Sequence, residues 1–147
     1  MKTISLYIMS WLIAAAVSAA DLDAPGQKSV TFRSEAKRGF AAAEGVSSGL
    51  APSGAVKVLD LIEQQNKQNN TDSDGFKLGF NVGACLRMHR FAAIGLNERD
   101  AKFANTMAAV YRTKAQLQQR ALNIDDPQMQ ELFGTWTIKK MQEVPSR

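Results

Sequence analysis

Between Asn97 and Leu122 a largely apolar set of side chains recurs at alternating spacings of four and three: Phe103, Met107, Val110, Lys114, Leu117 and Ala121. Ala104, Ala108, Tyr111, Ala115 and Leu122 widen the stripe. That period belongs to an α-helix with one face against a core, because residues three and four apart share a face. Asn97 supplies a side-chain cap, and Glu98 and Asp100 place carboxylates in the first turn, where the helix dipole favours them. The stripe lasts about three heptads, too short for a fibrous coiled coil, so the helix needs partners from its own chain.

The remaining segments supply them. Ser34–Glu44 is rich in Ala, Lys and Glu, with Phe32, Ala36, Phe40 and Ala43 on one side; Val30-Thr31-Phe32 could instead begin a strand. Ala51-Pro52-Ser53-Gly54 reads as a turn with Ser53 as the cap of a second helix, Ala55–Gln68, whose inner side is Val58, Leu59, Ile62 and Gln65. A polar loop from Asn69 to Gly75 leads to Phe76–Leu96, the most apolar helix after the N-terminal segment and the expected centre of the fold. Gly79 and Gly83 each cost about 1 kcal/mol in a lone helix relative to Ala, so they predict another backbone close by. Lys77, Asn81, Arg87, His89 and Arg90 argue against a membrane-spanning use of those small residues. Gly95 ends the helix. Asp126 and Pro127 restart one as cap and first residue, with Met129, Leu132, Phe133 and Trp136 inward, running to Val144-Pro145. The expected fold class is all-α: a small antiparallel helical bundle of four or five helices.

The N-terminus sets a compartment. Lys2 is followed by an uncharged run from Ile4 to Val17, then by the small residues Ser18, Ala19 and Ala20. This is the layout of a secretory signal peptide, and the run is too short to span a bilayer comfortably. The expected division is a signal peptide over residues 1–20 and a single helical domain over 21–147, in a periplasmic or secreted protein with no transmembrane segment after cleavage. A lone cysteine, Cys85, allows no intrachain disulfide. Packing must therefore stabilise the fold, and the small neighbours of Cys85 favour its burial.

The net charge of +4 is mild and its basic residues are scattered. Aromatic residues are not interleaved with them as a nucleic-acid platform requires, so nucleic acid is not an expected partner. Asn70, Asp72, Asp74 and Gly75 resemble the opening of a calcium loop. Its later positions fail: Lys77 stands where an aliphatic residue belongs, and Asn81 where a bidentate carboxylate is needed. An Asx-rich turn with Asp74 capping the next helix accounts for the same residues. Cys85 and His89 are four apart, on one helix face, a spacing that could offer two ligands to a metal or set a thiol beside a base. Two ligands make no zinc site, and there is no other Cys or His. No phosphate loop, nucleophile elbow or metalloprotease motif occurs.

No cofactor is expected. The leading expectation is a non-enzymatic protein that binds another protein, as an inhibitor or immunity-type protein or an accessory subunit of an envelope secretion system, with Arg87 and Arg90 as candidate contact residues. The alternatives are a small cell-wall hydrolase working through carboxylates and a metal or small-ligand carrier using Cys85 and His89; Asp72 and Asp74 are the other candidate metal ligands.

Overall fold

Six helices account for most of residues 29–143, the part of the chain that the computed structural model describes: α1 (Val30–Glu44), α2 (Pro52–Gln68), α3 (Asp74–Ala93), α4 (Glu98–Ala121), α5 (Asp126–Phe133) and α6 (Thr135–Gln142). No strand occurs among the described residues, so the fold is an all-helical bundle. The expected signal peptide and the Val144-Pro145 stop lie outside them.

The helix starts differ from expectation in physically informative ways. Val30-Thr31-Phe32 is the first turn of α1 instead of a strand, because the Ser29 hydroxyl accepts from Phe32 N at 3.1 Å and sets the helix earlier. Ser53 lies inside α2, which begins at Pro52; proline has no N–H to leave unsatisfied at a first helical position. Ser73, not Asp74, caps α3 by accepting from Phe76 N, and Asp74 adds its charge to the first turn. Asn97 caps α4 as expected, accepting from Asp100 N at 2.9 Å. The expected last helix starts one residue early, on an Asp125–Gln128 capping box, and breaks in two at Gly134. Gly134 has φ +87° and ψ 146°, a conformation essentially reserved for glycine. That break is why six helices stand where four or five were expected.

α3 is the centre. Thirteen of its twenty residues are buried, among them Phe76, Phe80, Leu86, Met88 and Phe91. Its small-residue edge, Gly75, Gly79 and Gly83, receives α1. A Cβ at Gly79 would lie 1.8 Å from Ala36 O, and one at Gly83 would lie 2.5 Å from Phe40 O. The relation is mutual, since a Cβ at Gly39 would lie 2.1 Å from Phe76 O. Each glycine thus turns a Cα hydrogen toward a carbonyl of the facing helix, a weak attraction of about 0.5–1 kcal/mol that only this close approach allows. Contacts advance together along the chain, Phe32 with Gly75, Ala36 with Gly79 and Phe40 with Gly83, so α1 and α3 run parallel. The tightest pair in the bundle is therefore two helices that are not consecutive.

α4 runs antiparallel to α3: Asn81 near the start of α3 meets Gln118 near the end of α4. Ala104, Ala108, Tyr111 and Ala115 form its buried stripe. Small residues there let the two axes approach, and Tyr111 fills the remaining space. α5 and α6 close one side, burying Met129, Ile138 and Met141. Phe133 packs on Phe40 with ring centroids 5.9 Å apart. Arg38 ties α1 to the α2–α3 connection. It meets Glu35 at 2.7 Å, donates to Asn66 Oδ1 at 2.9 Å and to Thr71 O, and lies over the Phe76 ring.

Candidate functional site

The burial of α4 leaves an apolar edge without cover from the described residues. Phe103, Val110 and Leu117 are 36%, 38% and 59% exposed, and Met107 between them is half-buried. Successive residues on an α-helix are about 100° apart, so Phe103 and Ala104 cannot both face α3. The alanine side faces α3, where small residues let the axes approach and Tyr111 fills the space that remains. The four-and-three stripe read from the sequence as a core face is thus split, with Ala104, Ala108, Tyr111 and Ala115 inward and Phe103, Val110 and Leu117 outward. Residues seven apart stay nearly aligned, drifting only about 20° per heptad. Phe103, Val110 and Leu117 therefore form one line along the surface.

The far end of that line opens into a cleft of about 590 Å³ between α2, α3 and α4. Phe76, Phe80 and Leu117 give it apolar walls, and Glu63, Lys67, Asp72, Lys77 and Lys114 give it a charged rim. Lys77 faces Asp72 at 3.8 Å. Burial pushes the Glu63 carboxyl up, against the pull of Lys114 and with the help of Asp60. Asn81 lines the cleft with only 6% of its surface exposed. Its Nδ2 donates to Lys77 O at 3.0 Å and to Gln118 Oε1 at 2.9 Å, while its Oδ1 is buried and accepts from nothing among the described residues. An unpaired buried acceptor of this kind costs about 1–3 kcal/mol.

The residues singled out in the sequence fall in several places. Cys85 is fully buried, and burial pushes its thiol up to about 12. His89 shares its helix face but borders a second cleft, of about 810 Å³, with Arg90, Asn105, Trp136, Lys140 and Glu143. Burial and then Arg112 push the His89 pKa down; Glu143 raises it and Lys140 lowers it again. Asp72 lies at the rim of the first cleft, while Asp74 is exposed in the first turn of α3. No group of three or more His, Cys, Asp or Glu side chains comes together among the described residues. Arg90 is held by Glu44 at 2.6 Å, and Arg87 lies over the Phe91 ring at 5.2 Å with its Nε buried. Both arginines are engaged within the fold.

The sequence does not show the cleft around Asn81; there Asn81 stands out as a polar residue inside an apolar helix and as the failing last position of the calcium-loop pattern. Its setting between Phe80 and Val82, on a helix buried nearly all round, is the signal that points to it. None of the described helices is long and apolar enough to cross a membrane. Comparison with protein-family models, with curated proteins and with solved structures gave no match to this chain.

Proposed function

We propose that this is an exported, non-enzymatic protein that acts by binding another protein, and that the exposed edge of α4 is its contact surface. The observation that carries the reading is the alignment of Phe103, Val110 and Leu117 on one side of one helix. Single exposed apolar residues are ordinary on any surface; a row of them along a well-formed helix supports a partner that packs on it. Lys114, on the same edge, would give that contact register. Export rests on residues 1–20, with the working chain beginning near Asp21 and forming one helical domain. An inhibitor or immunity-type protein and an accessory subunit of a secretion system both fit a small binding domain of this kind. Arg87 and Arg90 contribute to the contact only if a partner draws them away from the Phe91 ring and from Glu44.

The reading is tested by affinity purification of the tagged protein from its native cells beside a Val110→Glu/Leu117→Glu variant. Both positions are on the surface, so the variant should keep its helicity by circular dichroism. The same stoichiometric partner should come with the original protein and be lost from the variant. Equal recovery with both would move the contact off α4.

A further inference from the structure

The cleft between α2, α3 and α4 brings three features together. It is concave, with aromatic walls and a volume of about 590 Å³, within the range of binding clefts. At its wall lies a side chain more than nine-tenths buried whose acceptor oxygen has no partner among the described residues, Asn81 Oδ1. On its rim Lys67 and Lys114 are exposed and in no ion pair among the described residues, with Lys114 lying 5.5 Å from the Tyr111 ring centroid, while Lys77 is matched by Asp72. The other rim acid, Glu63, is half-buried, and Lys114 is close enough to act on its carboxyl.

We propose that this cleft binds an acidic peptide segment, with a backbone N–H donated to Asn81 Oδ1 and a carboxylate set between Lys67 and Lys114. The donor satisfies the orphan acceptor, which returns the desolvation already suffered in the free protein. The carboxylate meets two ammonium groups beside the low-dielectric wall of Phe76, Phe80 and Leu117, where such contacts are stronger than in open water. Gln118 is the neighbour on the cleft wall that a bound segment would meet beside Asn81. It is half-buried, holds Asn81 Nδ2 at 2.9 Å, and can turn its flexible side chain aside to admit the N–H. A peptide fits better than a compact small molecule because Leu117 belongs both to the cleft lining and to the α4 edge, so the cleft adjoins the surface assigned to the protein partner.

The inference rests on the protein-binding reading and names the chemistry of the segment the partner would insert. Its test is separate. The purified protein is titrated with three blocked tripeptides, Gly-Glu-Gly, Gly-Gln-Gly and Gly-Lys-Gly, while amide NMR spectra follow the side-chain amides of Asn81 and Gln118. Gly-Glu-Gly should shift both saturably at millimolar concentration, and Gly-Lys-Gly should not. A Lys67→Glu/Lys114→Glu variant, altered only at exposed positions, should bind Gly-Glu-Gly about tenfold more weakly and prefer Gly-Lys-Gly. Absence of saturable shifts with all three peptides overturns the proposal, as does binding of Gly-Glu-Gly that the double variant leaves unchanged. Loss of the partner in the α4 purification would not alter either readout, so the two readings fail independently.

Discussion

Gly79 faces the carbonyl of Ala36 so closely that a Cβ on the glycine would lie 1.8 Å from the oxygen. This contact, with its neighbours at Gly39 and Gly83, brings α1 onto the central helix and fixes where everything else must pack.

Gly79→Ala should therefore destabilise the protein despite improving helix propensity. The propensity gain is about 1 kcal/mol. Forcing a methyl against backbone that cannot turn aside costs about 3 kcal/mol, the upper end of the usual range for overpacking. The net loss of about 2 kcal/mol should appear as a lower denaturant midpoint with an unchanged slope. Gly54 is the control. A Cβ there meets nothing nearer than Leu50 Cβ at 3.9 Å, so Gly54→Ala should stabilise by about 0.5 kcal/mol. A Gly79→Ala protein as stable as the original would contradict the packing described.

The glycines also mark how far the sequence could be read. Their spacing predicted a close backbone, and the apolar run of α3 predicted a central helix; both are local signals. What the sequence did not contain was the identity of the approaching backbone, because α1 lies far from α3 along the chain. The same gap misassigned α4: periodicity fixed its helix but not its rotation, which was decided by how near α3 came. Gly134 was overlooked because the apolar pattern from Met129 to Trp136 runs straight through the break. The Asn81 cleft draws its lining from three helices, and no window of the sequence holds more than part of it.

Cys85 should behave as an inert thiol. With ionisation displaced from 9.0 to about 12 and no exposed surface, the native protein should react with a thiol reagent only as fast as it opens. Because the folded pKa is raised, the stabilisation is complete below pH 9 and is lost as pH rises toward 12. Tyr111, also raised by burial and by Asp60 and Glu63, adds a loss of the same sign at higher pH. Chemical denaturation at increasing alkaline pH should show stability falling, with a shallower fall in Cys85→Ala. Rapid labelling of the folded protein at neutral pH would count against burial.

His89 gives the opposite dependence. Its pKa is depressed in the fold, so the unfolded chain binds the proton more readily. Stability should be full above pH 6.5 and decline as pH falls below it. A His89→Gln variant should lose that part of the decline, while carboxylate protonation continues at lower pH in both proteins. Identical acid profiles for the two would remove His89 from the account.

Arg90→Ala should be mild. Its pair with Glu44, at 2.6 Å, is about half exposed on the arginine side and contributes about 1 kcal/mol or less. The loss should shrink further in high salt, as measured by thermal unfolding at two ionic strengths. A salt-independent loss of several kcal/mol would mean that the arginine has a different role from the one described.

Site-specific photocrosslinking in the native cells tests the central claim most directly, with a photoreactive residue at Leu117 in one protein, at Val110 in a second, and at the exposed Lys37 of α1 in a third. The account predicts one dominant crosslinked protein from both α4 positions and none from Lys37. Crosslinks from Lys37 alone, or no partner from either α4 position, would contradict it.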